Sequence, residues 1–270
     1  MPSALVIRAP GTNCDLEVCH GFHLAGATTT LVHLDALIRE PSLIDRADIV
    51  AFPGGFSYGD DVASGRIFAM KLREKLYSPL RQAADRGALM IGICNGFQVL
   101  VQVGLLPGAT PGAWPQVPPV QTLALSDNKD ARYMCRWVDV SYEAESVCVW
   151  TRGISALGTD DASRLANHML PVGHGEGRLT ASSSEVIAAL EGAGQVAVRY
   201  ADNFNGSEAA IAGVCDPTGR IFGLMPHPDR FLDWTRHPCW TRLDASVRAG
   251  DTPGVKMFKN AVEAAATVRA

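Results

Sequence analysis

Apolar residues follow two different spacings in the first hundred positions. Four short runs of apolar or β-branched residues predict strands, at 4–7, 28–33, 48–52 and 88–93. Between them, apolar positions recur at the spacing of a helix face, and the longest such stretch, 64–86, is interrupted by Pro79. Asn13 is placed to cap the first helix, whose apolar face is Leu16, Cys19, Phe22 and Leu24. Strands alternating with amphipathic helices are typical of an α/β domain whose mostly parallel sheet is covered on both faces.

The pattern changes after Gly104. A segment rich in proline and glycine, 105–119, cannot continue a helix. Beyond it, five runs predict an antiparallel β addition to the sheet: 132–143, 146–150, 195–200, 209–214 and 220–224. Residues 216–219 have the composition of a hairpin turn between the last two runs, and 252–269 predicts a closing amphipathic helix. We expect one domain over residues 1–270.

Composition and charge narrow the class of protein. Of the 270 residues, 47% are hydrophobic and 19% are charged, which supports a sizeable core and excludes global disorder. The formal net charge of −4 argues against binding to duplex nucleic acid or to an anionic membrane surface. No apolar run approaches the roughly 18 residues of a membrane helix, and the amino terminus has the pattern of a strand rather than of a leader. Seven scattered cysteines favour a reducing cytoplasm over a disulfide framework.

Two segments have the pattern glycine–x–nucleophile–x–glycine, which marks a sharp turn that exposes a reactive side chain. They are 55–59, centred on Ser57, and 92–96, centred on Cys94. Such a turn requires a strand directly before the nucleophile and a helix directly after it. Cys94 has both, whereas Ser57 lies in a loop rich in glycine and aspartate, with Pro53 between it and its strand. We therefore predict that Cys94 is the nucleophile.

The predicted position of Cys94 suits a thiolate. At the amino terminus of a helix, the helix dipole favours the charged form of a thiol. The backbone N–H of Asn95 follows the nucleophile and can donate to an oxyanion, and the Gly54-Gly55 turn after the neighbouring strand can supply a second donor. A lone cysteine is more often a small buried hydrophobe, and it is the strand–turn–helix context that favours catalysis here.

A thiolate needs a general base, and His227 has the best context among the seven histidines. It follows an apolar strand and is flanked by Pro226 and Pro228, which stiffen the backbone at the strand end. Two residues later, Asp229 can orient the imidazole ring. The alternative for Asp229 is to cap a helix that begins at Arg230.

The first predicted helix region holds the other possible metal ligands, which are Cys14, Cys19, His20 and His23. The spacing of the two cysteines fits neither a tight CxxC knuckle nor a paired ligand set. We predict no metal site, and a surface or packing role for the two histidines.

Three motifs at these positions resemble the class I glutamine amidotransferases: FPGGFSYGD at 52–60, GICNGFQVL at 92–100 and GLMPHPDRF at 223–231. Within that family they resemble the glutaminase subunits of phosphoribosylformylglycinamidine synthases. Further similar stretches are PGTNCDLE at 10–17, NKDARYMCRWV at 128–138, HGEGR at 174–178 and NGSEAAIAG at 205–213. The resemblance covers residues 4 to 231 or so, and the segment from about 235 to 270 is a C-terminal extension beyond it.

The resemblance implies a flavodoxin-like fold and a role for each matching residue. Cys94 matches the family nucleophile, His227 its general base, and Asp229 the third member of the triad, where the family usually has glutamate. The other implied roles are an oxyanion hole, from Gly55 and Asn95, and contacts to the glutamine substrate, from Gly54, Gln98 and Glu176. Glu176 would meet the α-amino group of glutamine; the alternative is a loop carboxylate without a ligand.

The implied reaction is hydrolysis of glutamine to glutamate and ammonia through a cysteine thioester, with no cofactor in this chain. The sequence has no GxxxxGK[ST] loop, so ATP, magnesium and formylglycinamide ribonucleotide are expected on a large synthetase subunit. A small accessory subunit is expected in the same complex. Two alternatives are a cysteine or serine hydrolase or peptidase of the same fold, and a non-catalytic regulatory module. Glutamine turnover distinguishes the first, and the intact Cys94–His227 pair argues against the second.

Overall fold

A computed structural model describes residues 1–158 and 161–268 of the chain. The strands in these ranges are β1 (Ser3–Arg8), β2 (Thr28–His33), β3 (Ile49–Phe52), β4 (Leu89–Ile93), β5 (Leu123–Ser126), β6 (Met134–Tyr142), β7 (Met169–His174), β8 (Arg178–Ala181), β9 (Val196–Tyr200), β10 (Ile211–Cys215) and β11 (Ile221–Leu224). The α-helices are α1 (Asp15–Leu24), α2 (Leu34–Arg39), α3 (Ser42–Asp45), α4 (Arg66–Lys75), α5 (Tyr77–Asp85), α6 (Asn95–Val103), α7 (Asp161–Asn167), α8 (Ser184–Gly192), α9 (Ala245–Arg248) and α10 (Pro253–Val268).

Nine of the described strands form one sheet in the order β2-β1-β3-β4-β11-β10-β9-β6-β7, while β5 and β8 pair separately. The pairs from β2 to β11 along this order are parallel, and the pairs from β11 to β7 are antiparallel. The α/β class and the antiparallel addition are therefore confirmed. The inner parallel strands are almost continuously apolar because helices cover both faces, and β3, β4 and β11 are buried throughout, whereas the edge strand β2 is polar and largely accessible.

Several local predictions were wrong. The run 146–150 forms no strand: Val147 N–H and Val149 N–H each donate one hydrogen bond to a turn, at Gly194 and Gly219, without a ladder. Asn13 does not cap α1, since Cys14 holds the cap position and no side chain accepts there. The stretch 64–86 is two helices, α4 and α5, which meet at Leu76 rather than at Pro79.

The predicted apolar face of α1 is only partly inside. Cys19 and Phe22 are buried, whereas Leu16 and Leu24 are exposed. The ring of Phe22 packs edge-on against Phe258 of α10, with ring centroids 4.9 Å apart. Helix α10, in the C-terminal part of the described chain, therefore packs against α1, which is one of the helices that cover the sheet. The predicted closing helix is described as far as Val268, and Arg269 lies outside the described residues.

The sheet fixes where the chemistry can lie. Because β3, β4 and β11 are parallel neighbours, their carboxyl ends meet at one edge, where Gly54-Gly55, Cys94 and His227 follow them. The register aligns Phe52 with Gly92, and Leu224 with Ile93. Within the two described ranges, no helix has both the length and the apolarity needed to cross a bilayer.

Candidate active site

Cys94 lies on a strained turn between β4 and α6. Its φ of 51° and ψ of −107° are sparsely populated for a side chain with a Cβ, and such a position costs roughly 1–3 kcal/mol. Cys94 N–H donates to the Leu224 carbonyl of β11 at 2.8 Å, which ties the turn to the neighbouring strand. A side chain at Gly96 would overlap the Phe52 carbonyl, so glycine is required where α6 begins beside β3. This is the geometry of a nucleophile elbow.

The surroundings of the Cys94 sulfur are largely closed to solvent. Cys94 is 5% exposed, and its Sγ donates to the Gly173 carbonyl at 3.6 Å. Asn95 is the first residue of α6, so its N–H has no carbonyl partner within the helix. Gly55 adopts φ 146°, and among the described residues its N–H has no hydrogen-bond partner. Both predicted oxyanion donors are therefore free.

His227 and Asp229 are buried together behind the elbow. His227 Nδ1 lies 3.3 Å from Asp229 Oδ1, with the two side chains 5% and 0% exposed. This contact does not meet the geometry of a hydrogen bond, and neither Asp229 carboxylate oxygen has a hydrogen-bond partner among the described residues. The contact is therefore electrostatic. Asp229 lies inside the short 3₁₀ turn Pro228–Arg230, whose cap position is His227, so it is not the helix cap considered above.

The charge of His227 follows from its neighbours. Burial acts to lower the pKa of His227, but the charge of Asp229, the Cys94 sulfur, and close polar contacts with Asp229 and then with Cys14 outweigh burial, so its pKa lies well above the usual value. At neutral pH His227 is accordingly an imidazolium. Its Nδ1 faces Asp229 and Cys14, which leaves Nε2 as the nitrogen available to the reacting groups.

Cys14, His227 and Asp229 also have the spacing of a metal site, since one donor atom from each lies within 4.8 Å of the others. The Arg230 guanidinium, however, donates to Cys14 Sγ at 3.1 Å. A fixed cation at that sulfur opposes a second one, and with His227 protonated Nδ1 is a donor rather than a ligand. His20 and His23, the other histidines weighed as ligands, lie on α1, where His23 Nε2 hydrogen-bonds to Thr29 at 2.7 Å.

A network of polar side chains joins the elbow to the HGEGR segment. Asn95 Nδ2 donates to Gln98 Oε1 at 3.0 Å, and Gln98 Nε2 donates to the Glu176 carbonyl. The Glu176 carboxylate accepts from Ser64 N–H at 3.2 and 3.3 Å. Both polar atoms of the Gln98 side chain thus bind the protein, and its predicted contact to substrate would use the second N–H or the second lone pair. Asp60 completes the network, with Oδ1 3.3 Å from Asn95 Nδ2.

The GGFSYGD loop holds Asp60 beside Glu176. Burial, followed by the nearby Glu176 charge, raises the pKa of Asp60 despite hydrogen bonds that act against the shift. Three residues of this region that are not glycine have positive φ: Tyr58, Asp60 and Val62. A loop held in such conformations is typical of a functional site. Sequence analysis did not select Asp60, although the GGFSYGD motif contains it.

Two further buried side chains, Ser57 and His174, lie near the residues of this site. Ser57 is buried, its N–H donates to Asn95 Oδ1 at 3.3 Å, and its Oγ has no hydrogen-bond partner among the described residues. His174 ends β7 with Nδ1 3.0 Å from Asn128 Oδ1. Burial, followed by the His227 charge, lowers the pKa of His174 to about 4. His174 is therefore neutral at pH 7, and the sequence signal for it was the HGEGR motif.

Comparisons with known proteins show the family to which the chain belongs. A family profile described as a CobB/CobQ-like glutamine amidotransferase domain matches residues 1–263. The phosphoribosylformylglycinamidine synthase subunit PurQ of Dehalococcoides mccartyi is 41% identical over 96% of each chain, and that of Methanococcus maripaludis is 38% identical over 97% of each. A structure of PurLQS from Thermotoga maritima aligns with a TM-score of 0.69 and 31% identity, over 97% of this chain and 98% of the other. The chain belongs to the glutamine amidotransferase family and, within it, to the PurQ subunits of phosphoribosylformylglycinamidine synthases.

Proposed function

We propose that this chain releases ammonia from glutamine through a thioester on Cys94. The observation that carries the proposal is the elbow, where a cysteine with positive φ joins β4 to α6 and lies beside the strand that delivers His227. A cysteine that only filled space would have no use for a backbone conformation that costs free energy. The chain is the glutaminase subunit of a phosphoribosylformylglycinamidine synthase and acts in purine biosynthesis.

The reaction consists of two acyl transfers. The Cys94 thiolate attacks the side-chain amide carbon of glutamine, and the oxyanion accepts hydrogen bonds from the N–H groups of Gly55 and Asn95. His227, protonated at neutral pH, gives its Nε2 proton to the departing ammonia. It then takes a proton from the water that attacks the thioester, and glutamate leaves. Neither step needs a cofactor.

The carboxylates near the elbow suit the other end of the substrate. Asp60 and Glu176 lie close enough for Glu176 to raise the pKa of Asp60, so a positive group between them relieves their repulsion. The α-ammonium group of glutamine is such a group. We assign Glu176 as its partner, with Ser64 and Gln98 holding the Glu176 segment in place. Gly54 lines the site opposite His227, since a Cβ there would lie 2.6 Å from His227 Cε1.

The amination itself belongs on another subunit. The Thermotoga maritima neighbour is described as PurLQS, and we infer a similar assembly here, with a large synthetase subunit and a small accessory subunit. ATP, magnesium and formylglycinamide ribonucleotide bind the synthetase in this proposal, and ammonia passes to it from the site of Cys94. The seven cysteines, all free, support a cytoplasmic enzyme.

The test uses the reconstituted complex with either glutamine or ammonium as the nitrogen source. Cys94→Ala is expected to abolish glutamine-dependent synthesis and to keep ammonium-dependent synthesis, because only ammonia release passes through the thiolate. Cys135→Ala, at an exposed cysteine, is the matched control and should keep both activities. Glutamine-dependent synthesis by Cys94→Ala would contradict the proposal. So would loss of both activities with an unchanged melting temperature.

A further inference from the structure

A second cysteine, Cys14, lies directly behind the histidine of the site. It is completely buried at the cap position of α1, 213 residues from His227 in sequence. Its backbone N–H donates to the Gly54 carbonyl at 3.2 Å, so the start of α1 is fixed to the turn that lines the site. Cys14 Sγ lies 4.0 Å from His227 Nδ1, within reach of an N–H···S hydrogen bond.

Two side chains hold the Cys14 sulfur in this position. Arg230 donates from Nη2 to Sγ at 3.1 Å, and Sγ itself donates to Asn13 Oδ1 at 3.2 Å. A sulfur is a weak acceptor, but a guanidinium donor strengthens and orients the contact. The position of the sulfur is therefore specified by partners on both sides and is not simply the filling of a gap.

Asp229 alone does not account for the orientation of His227. Its carboxylate is 3.3 Å from Nδ1 without the geometry of a hydrogen bond, and both of its buried oxygens lack a hydrogen-bond partner among the described residues. It supplies charge to the imidazolium but little direction. The Nδ1–H of His227 therefore has two neighbours, the Asp229 carboxylate and the sulfur of Cys14.

We propose that Cys14, held by Arg230, is a positioning residue that fixes the ring of His227 for proton transfer. Cys14 accepts from Nδ1–H, so the ring presents Nε2 to the reacting groups while Asp229 stabilises the charge. The inference deepens the glutaminase function proposed above and rests on it. The hydrogen bond with Cys14 is also among the influences that raise the pKa of His227 against the effect of burial.

The experiment compares Cys14→Ala, Cys14→Ser and Cys19→Ala in the assembled complex. Cys19 is the matched control because it is a buried cysteine of the same helix, and its partner is Thr29 rather than the site. Cys14→Ala is expected to lower kcat for glutamine hydrolysis by about tenfold, since misplacement of a catalytic group is costly, with KM within about twofold. Cys14→Ser, which keeps an acceptor, should recover most of this loss. Cys19→Ala should retain wild-type kcat.

A pH profile separates positioning from a general structural effect. Without the hydrogen bond to Cys14 the pKa of His227 falls, so the alkaline limb of kcat/KM in Cys14→Ala should move to lower pH. Alkylation of Cys94 by iodoacetamide, followed by peptide mass spectrometry, should instead require a higher pH in Cys14→Ala, because a less basic His227 stabilises the Cys94 thiolate less. Cys19→Ala should leave both profiles unchanged.

The outcomes distinguish this inference from the proposed function. If the wild-type complex is active and Cys14→Ala has the same kcat and the same pH profile, the role of Cys14 is overturned and the glutaminase function is not. An inactive wild-type complex, or an active Cys94→Ala complex, would instead overturn the glutaminase function. If Cys14→Ala does not fold, Arg230→Lys replaces it, because lysine keeps the positive charge but loses the planar guanidinium that holds the sulfur. The same downward shift of the alkaline limb is expected, and an unshifted limb in folded Arg230→Lys would overturn the inference.

Discussion

Acid should destabilise the fold through His174, and the size of the effect follows from its surroundings. The ring is 3% exposed, and burial together with the His227 charge lowers its pKa from 6.5 to about 4. In the unfolded chain His174 binds a proton below pH 6.5, whereas in the folded chain it stays neutral down to about pH 4. The stability it confers is therefore complete above pH 6.5 and is lost as the pH falls toward 4. The total is about 3 kcal/mol, with about 2 kcal/mol lost by pH 5.

The assay is urea unfolding of the wild type and of His174→Gln at pH values between 7 and 4.5. Asp60 and Asp216, whose pKa values are raised chiefly by burial, act in the opposite direction. They are present in both proteins, so the difference between the two free energies of unfolding isolates His174. The wild type should lose about 2 kcal/mol more than His174→Gln between pH 7 and pH 5. His20→Gln, at an exposed histidine, is the control and should follow the wild type. Parallel curves for the wild type and His174→Gln would refute the reasoning.

Two further predictions concern the site. Ser57→Ala should keep glutamine hydrolysis within about tenfold of wild type, because we assign the nucleophile to Cys94 and the Ser57 Oγ has no hydrogen-bond partner in the part of the chain that the structure describes. A loss as large as that of Cys94→Ala in steady-state assays would favour a serine hydrolase. Asp229→Ala should reduce hydrolysis far less than His227→Ala, since the histidine itself moves the protons. Asp229→Glu should reduce the rate of hydrolysis by less than about tenfold, which corresponds to roughly 1.4 kcal/mol in the barrier. Asp229→Asn decides the role of the charge: unchanged turnover would remove Asp229 from the site and leave a dyad of Cys94 and His227.

The parallel half of the fold could be predicted because each element there obeys a simple period. The runs 28–33 and 88–93 became β2 and β4, and Gly104 ends α6 with φ 89°. The antiparallel half was harder to predict from the sequence. β7 contains Pro171 and Gly173, which lower strand propensity. The proline is tolerated because β7 is an edge strand of the sheet. The run 146–150 has the composition of a strand but lacks a neighbouring strand to pair with.

In the site, too, features formed by contiguous residues could be predicted, whereas contacts between segments far apart in sequence could not. The elbow at Cys94 could be predicted because the strand, the turn and the helix that form it are contiguous in sequence. The contact between Cys14 and His227 could not, because it joins segments 213 residues apart. Asp60 is a similar case, since its perturbed pKa arises mainly from burial and from Glu176, which another part of the chain supplies. Such features depend on the tertiary structure and have no local pattern.

The most direct test of the central claim is the covalent intermediate on Cys94. The complex is mixed with glutamine, quenched in acid within the first turnovers, digested, and analysed by peptide mass spectrometry, with Cys94→Ala treated in parallel. The mechanism predicts a glutamyl thioester on the Cys94 peptide that hydroxylamine removes, and no adduct in Cys94→Ala. An acyl group on Ser57, or turnover in which Cys94 never carries an adduct at any quench time, would contradict the account.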